Sequence, residues 1–127
     1  RKARQVRDGA DNMLKLVAKH NVDTFAGADL WQDGLISKTP EDMVIRKRWF
    51  SDIEILRQNT SYAAKWLAKS GTKNPYREGP LGVIKEGAYA DMLLVDGNPV
   101  EDVSVMANWE KSIRLIVKDG ELYKNTL

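Results

Sequence analysis

The spacing of apolar residues changes once along this sequence of 127 residues, and the change limits the folds that the chain can adopt. Before residue 72, apolar residues recur mostly every three or four positions, which is the period of amphipathic helices. After residue 80 they form short, nearly continuous runs, which indicate strands. A connector punctuated by Gly and Pro lies between, at 72–80. We therefore predict an α/β chain with two parts, 1–71 and 81–127.

The first part contains patterns for four helices and one strand. The helices are predicted from Ala3 through Val17 to a stop near His20 and Asn21, from Pro40 to Trp49 with Thr39 as N-cap, from the capping box Ser51–Glu54, and from Thr60 or Ser61 to Gly71. Between the first two helices, Asp23–Ala28 is typical of a buried strand that runs into a loop. A single strand needs neighbours, which this part of the chain does not supply.

The second part is typical of a small antiparallel sheet. Strands are predicted at Leu81–Ile84 and at Ala90–Val95, and the second is apolar enough to be buried on both faces. A short helical turn is predicted across Glu101–Met106. Two further strands flank Asp119 and Gly120, and Asp-Gly between such runs predicts a tight hairpin.

Charge and composition exclude several classes of function. Twenty Lys and Arg are interspersed with eighteen Asp and Glu, a net charge of +2, so we expect no nucleic-acid partner. The absence of cysteine excludes thiolate chemistry. His20 is the single histidine, so the chain has few metal ligands. No apolar run is long enough for a membrane span, so we expect no membrane partner; the compartment stays open, with the cytoplasm favoured. The chain begins inside a helical pattern without Met, and we expect that an upstream part is missing.

The run Gly82–Asp96, read as GVIKEGAYADMLLVD, resembles the C-terminal signature of the amidohydrolase superfamily. The continuation through Asn98 and Pro99, and the hairpin around Asp119, are similar to the segments that come after this signature in that family. Upstream, Phe25–Leu30 resembles the eighth strand of its barrel. The similarity is closest to the branch of imidazolonepropionase-like and Xaa-Pro dipeptidase-like enzymes.

This resemblance implies a fold and an activity. The chain would hold the last helices and eighth strand of a (β/α)8 barrel, plus the C-terminal half of a small β-sandwich, and as an isolated fragment it would be α+β. Family members hydrolyse C–N bonds with metal-activated water. Asp29 matches the proton-transfer aspartate after strand eight, although Ala28 stands where the family more often has Thr or Ser. Trp31, in the loop after that strand, is a candidate substrate contact. Without the family context, Asp29 reads as a turn former or a helix cap.

The resemblance also implies a metal that this chain cannot hold by itself. The parent enzyme is expected to bind a divalent metal, zinc in the first instance, with Asp29 beside histidines that lie outside this chain. His20 is expected at the opposite end of the barrel and is not a predicted ligand. We therefore expect the isolated chain to bind no metal and to be inactive until the missing N-terminal barrel portion is supplied. The alternative is a non-catalytic, self-associating module derived from such an enzyme, and we expect a homo-oligomer.

Overall fold

The computed structural model describes residues 2–29, 32 and 34–127 as a set of helices with one small antiparallel sheet. The elements are the α-helices α1 (Lys2–Lys19), α2 (Thr39–Arg46), α3 (Asp52–Asn59), α4 (Ser61–Ala68) and α5 (Trp109–Ser112), the strands β1 (Met92–Val95), β2 (Ile113–Lys118) and β3 (Glu121–Asn125), and the 3-10 helices Ile36–Lys38, Gly71–Lys73 and Val103–Asn108. The mixed fold class predicted from the sequence is confirmed at this level.

The first helix forms as predicted and ends as predicted. Asn21 adopts a left-handed backbone with φ of 48°, a conformation that often follows the last turn of a helix and that asparagine tolerates. No residue of α1 is buried, and Val6, Met13 and Leu16 on it are all more than half exposed. Within the described ranges, no helix is both long enough and apolar enough to cross a membrane.

The next two helices form, but two predicted caps do not. The helix α2 ends at Arg46, three residues before the predicted end at Trp49. Thr39 is its first residue and not its N-cap, because a preceding 3-10 turn runs into the helix and the Thr39 hydroxyl donates to the Ile36 carbonyl. At α3, Ser51 has the extended backbone of an N-cap, yet its side chain makes no capping hydrogen bond. The predicted capping box is therefore wrong, although the helix begins where it was expected.

Two predicted strands are absent from the part of the chain that the structure describes. Residues 22–29 have no regular secondary structure, and Leu81–Ile84 forms bends instead of a strand. The first lacks a neighbour to complete a hydrogen-bonded ladder. The second is turned by Gly82, whose φ is +67° and whose α-carbon lies so close to Thr60 that a β-carbon would fall 2.5 Å from its carbonyl carbon. The first prediction was wrong because periodicity does not reveal pairing partners, and the second because it does not reveal a close approach between two backbone segments.

The sheet has the order β1-β2-β3, and both pairs are antiparallel. Asp119 and Gly120, with φ of 52° and 79°, make the tight hairpin between β2 and β3 that Asp-Gly predicts. The predicted strand Ala90–Val95 is found, shortened to β1. The prediction that it is buried on both faces is wrong: it lies at an edge, and Met92, Leu93 and Leu94 are 40–50% exposed.

The core joins the two predicted parts of the chain. Its buried residues are Ile55 on α3, Val103 and Met106 on a 3-10 helix, and Ile113 on β2. Partly buried apolar residues pack against it: Met43, Phe50, Leu56, Val95, Val105, Trp109 and Ile116. Helices from before the connector and strands from after it thus share one apolar centre. The division of the chain into two parts by the connector at 72–80 stays a prediction.

Candidate functional site

Asp29 lies at the end of the segment 22–29, which has no regular secondary structure, and is exposed at the surface. Its φ is 50°, in the left-handed region, which few residues other than glycine adopt and which aspartate tolerates better than most. Such conformations cost free energy and often occur at functional sites. The backbone turns at this residue and presents its carboxylate to solvent. Trp31, the other candidate from the sequence, lies outside the described residues.

Two contacts hold the segment that carries Asp29 against α3 and α4. The backbone N–H of Ala26 donates to the carbonyl of Gln58 over 3.1 Å. The ring of Phe25 lies 5.5 Å from the ring of Trp66 on α4, in a tilted arrangement within the usual range of aromatic pairs. One hydrogen bond and one aromatic pair therefore hold the candidate residue against α3 and α4.

A chain of polar contacts lies behind this attachment. Gln58 is fully buried, and its Oε1 accepts from Nη1 of Arg46 over 3.1 Å. Arg46 in turn donates from Nε to Asp42 over 2.6 Å. The side-chain amide nitrogen of Gln58, Nε2, is buried and makes no hydrogen bond within the described ranges. A buried amide nitrogen without a hydrogen-bond partner costs free energy. The contacts described therefore leave the hydrogen-bonding capacity of the Gln58 side chain partly unused.

Sequence reasoning missed Gln58, although one signal for it was present. It follows Ile55 by three positions, which puts both side chains on one face of α3, and both are the buried residues of that helix. A glutamine on the core face of a helix needs hydrogen-bond partners. Arg46, twelve residues earlier on α2, supplies one of them.

No group of three or more His, Cys, Asp or Glu side chains in the described residues is arranged to hold a metal ion. His20 is exposed at the end of α1, where its backbone N–H donates to the carbonyl of Leu16. A zinc ion takes three or four protein ligands. Asp29 offers one carboxylate, so the described part of the chain does not fit a metal site by itself.

A polar cavity of ≈ 480 Å³ lies beside the segment that leads to Asp29. Asn21 and Asp23 line it from the segment side, and Glu54 and Tyr62 line it from α3 and α4. Its two carboxylates fall short of the ligand number that zinc needs. The cavity lies between the end of α1 and the helices α3 and α4, and it leaves the segment uncovered on that side.

The best-defined charged cluster lies elsewhere, where α2 and α3 meet the 3-10 helix Val103–Asn108. Nζ of Lys47 lies 2.6 Å from Asp102 and 3.2 Å from Asp52. Asp52 also accepts from the backbone N–H of Val103 over 2.7 Å. We call Lys47, Asp52 and Asp102 the charged joint.

These contacts shift the pKa of each member of the charged joint. The hydrogen bond from Lys47 is the largest cause that lowers the pKa of Asp102, to about 2. The N–H of Val103 lowers the pKa of Asp52, and the bond to Asp102 raises the pKa of Lys47. Each shift favours the charged form. The charged joint binds the helices to the second part of the chain, residues 81–127, which we call the tail. It has the character of a structural contact.

Helices packed on a small antiparallel sheet place the chain in a mixed α and β class, and solved structures narrow that class. The chain is similar to a crystal structure of an amidohydrolase, with 28% identity and a TM-score of 0.77, over 91% of this chain and 26% of that one. It is similar in the same way, at 30% identity and a TM-score of 0.74, to an uncharacterised protein and to a prolidase complexed with N-methylphosphonate-L-proline, again over 91% and 26% of the two chains. The predicted resemblance to the amidohydrolase superfamily is thereby confirmed.

The chain spans about a quarter of the length of these structures. Neither the models of known protein families nor the curated proteins include a match to it.

Proposed function

We propose that this chain is the C-terminal portion of a metal-dependent hydrolase of C–N bonds, from the imidazolonepropionase-like or Xaa-Pro dipeptidase-like branch. The observation that carries the proposal is the similarity to an amidohydrolase and a prolidase over 91% of the chain. In the parent, α2 to α4 would be the last helices of a (β/α)8 barrel. Segment 22–29 would be its eighth strand, with neighbours on both edges, and β1 to β3 would be half of a small β-sandwich.

Asp29 would transfer protons in this reaction. Hydrolysis of an amide forms a bond between a water oxygen and the carbonyl carbon and breaks the bond from carbon to nitrogen. The carboxylate of Asp29 would accept a proton from the attacking water and later deliver it to the leaving nitrogen. Its exposed position at the end of the segment that would be the eighth strand supports this role, because active sites of barrel enzymes lie beyond the strand ends.

The parent would also need a divalent metal, with zinc as the expected ion. Such an ion lowers the pKa of its bound water to about 7. Since the described residues do not make a metal site, the histidines would come from the N-terminal portion of the barrel. That portion is the proposed partner of this chain, and the chain alone is proposed to be inactive.

The test is complementation. The chain is mixed or co-expressed with the N-terminal portion of its parent, zinc is added, and the hydrolysis of Xaa-Pro dipeptides and cyclic amides is measured. We expect no activity from the chain alone and activity from the pair. Asp29→Asn should reduce the activity of the pair by about 10²–10⁴-fold, as expected for loss of a general acid-base group.

The matched control is Asp23→Asn, which removes an exposed carboxylate from the same segment. This variant should keep the activity of the pair. Equal rates from the pair with Asp29 and the pair with Asn at that position would contradict the assignment.

A second candidate function is a self-associating module without catalysis, in which a second copy of the chain would cover the surface that the N-terminal portion covers in the first candidate. The solvent-accessible surface is 9395 Å². A folded monomer of this length exposes roughly 6,800 Å². Uncovered surface of this extent is typical of a chain that binds a partner.

A further inference from the structure

The segment that carries Asp29 is attached to α3 through the end of that helix. Because α3 ends at Asn59, the carbonyl of Gln58 is one of the last four of the helix, which have no partner inside it. It accepts instead from the backbone N–H of Ala26, over 3.1 Å. Ala26 precedes Asp29 by three residues. A carbonyl that the helix leaves unused therefore holds this segment close to the candidate residue.

The bond at Ala26 also determines which side of the segment faces solvent. Burial alternates along the end of the segment, since Ala26 and Ala28 are half-buried whereas Gly27 and Asp29 are exposed. Where burial alternates in this way, a slip of one residue exchanges the buried and the exposed positions. Fixing Ala26 against α3 therefore keeps Asp29 on the exposed side.

The side chain of Gln58 ties the same turn of α3 to α2. Gln58 is fully buried, and its Oε1 accepts from Nη1 of Arg46 over 3.1 Å. The side chain of Arg46 is itself largely buried and is held by Asp42, one turn earlier on α2. Gln58 thus bonds α2 through its side chain and the segment 22–29 through its carbonyl.

Packing alone does not account for an amide at this position. Ile55 lies on the same face of α3 and is apolar, whereas Nε2 of Gln58 is buried without a hydrogen-bond partner in the described part of the chain. An apolar side chain of similar size, such as methionine, would bury no unsatisfied donor. What the amide adds is the contact of its Oε1 with Arg46. Residues that break a local rule in this way often serve a functional site.

We propose that Gln58 is a positioning residue for Asp29. Its side chain fixes the last turn of α3 to α2, and its carbonyl holds the segment at Ala26, so that the carboxylate three residues farther on keeps one place. Gln58 itself touches no substrate. The proposal rests on the proposed function, because its consequence is the alignment of Asp29 for proton transfer.

The first measurement is amide hydrogen exchange of the purified chain, followed by NMR. Gln58→Met removes the Oε1 acceptor, and Arg46→Met removes its donor. We expect either variant to raise the exchange rate of the Ala26 amide by about tenfold, the change that corresponds to the loss of one hydrogen bond. Amides of β2, in the middle of the sheet, should keep their rates. Having two variants keeps the test decisive if one of them does not fold, which circular dichroism would show.

Two further variants are the controls. Gln58→Glu should keep the slow exchange of Ala26, because a carboxylate oxygen still accepts from Arg46. Arg57→Met changes the preceding residue of α3, whose side chain is 53% exposed, and should exchange like the wild type. An Ala26 amide that exchanges at the wild-type rate in the folded methionine variants of Gln58 and Arg46 would overturn the proposal. So would an equal acceleration in β2, because it would indicate a general loss of stability.

The second measurement is kinetic and uses the complementation assay. Gln58→Met should lower the kcat of the pair by about 10–100-fold and leave KM nearly unchanged, because a misplaced catalytic group weakens the transition state more than substrate binding. Gln58→Glu should restore most of the kcat. An unchanged kcat in Gln58→Met would overturn the positioning role. An inactive pair with the wild-type chain would contradict the proposed function instead, and hydrogen exchange would still decide whether Gln58 holds the segment.

Discussion

The region around α3 and the segment that carries Asp29 are held to the rest of the molecule in different ways. Around α3, the buried residues Ile55 and Val103 meet in the core, and the charged joint binds the helices to the tail. Around Asp29, the segment 22–29 is held by two backbone hydrogen bonds, from Val22 to Val17 and from Ala26 to Gln58, and by one aromatic pair. The comparison teaches that the tail, residues 81–127, which carries the run that resembles the family signature, shares one core with α3. The region that carries the candidate catalytic residue has few contacts of its own in the residues described.

The same contrast extends to α1. Asp11 joins this helix to the rest through hydrogen bonds with Trp49, at 3.0 Å, and Arg48, at 3.2 Å. The hydrogen bonds and the charge of Lys15 lower the pKa of Asp11, with the bond to Lys15 as the largest cause. The polar contacts of Asp11 therefore attach α1, which buries no apolar side chain of its own. A helix attached in this way depends little on the core.

The largest expected effect is at the centre of the core. Ile55→Ala should lower the free energy of unfolding by about 2–5 kcal/mol, because it leaves a cavity at a fully buried position. Val6→Ala on α1, where the side chain is 66% exposed, should change it by less than about 0.5 kcal/mol. Urea unfolding followed by circular dichroism measures both. Similar losses for the two variants would remove the distinction between the regions.

A smaller effect is expected from acid acting on the charged joint. The pKa of Asp102 is lowered from 3.8 to about 2, and that of Asp52 is also lowered, so both carboxyl groups stabilise the folded state above pH 3.8. This stabilisation is lost as the pH falls towards 2, because the unfolded chain binds protons more readily. Thermal melting between pH 5 and pH 2 measures the loss.

The variant Asp102→Asn provides the control for this prediction. It should melt at a lower temperature at pH 5 and lose less on acidification, since one of the two titrating groups is gone. Asp8→Asn, on the exposed surface of α1, should behave like the wild type. If Asp102→Asn shows the same acid dependence as the wild type, the charged joint does not contribute as described.

Two local signals were read correctly from the sequence, although the caps predicted at Thr39 and Ser51 were wrong, and signals that depend on distant partners were missed. The hairpin at Asp119 and Gly120 and the end of α1 at Asn21 depend on the backbone preferences of one or two residues. The strand predicted at Asp23–Ala28 depends on neighbours, and the described residues supply only the hydrogen bond from Ala26 to Gln58. The strand predicted at Ala90–Val95 was expected to be buried on both faces, yet the strand that forms, Met92–Val95, lies at the edge of the sheet.

The candidate site shows the same limit. Asp29 was found through a resemblance, and its left-handed backbone is a feature that no sequence pattern indicated. Gln58 and its contact with Arg46 link two helices, and helical periodicity alone gives no pairing between them. The charged joint links residues more than fifty positions apart in sequence, which sequence spacing could not predict.

The central claim is that Asp29 needs ligands from outside this chain to take part in a metal site. Calorimetric titration of zinc into the purified, metal-free chain tests it most directly. We expect no stoichiometric binding at micromolar zinc, because one carboxylate falls short of the three or four protein ligands that the ion takes. One zinc ion bound per chain with micromolar affinity, and lost in the Asp29→Asn variant, would contradict the account.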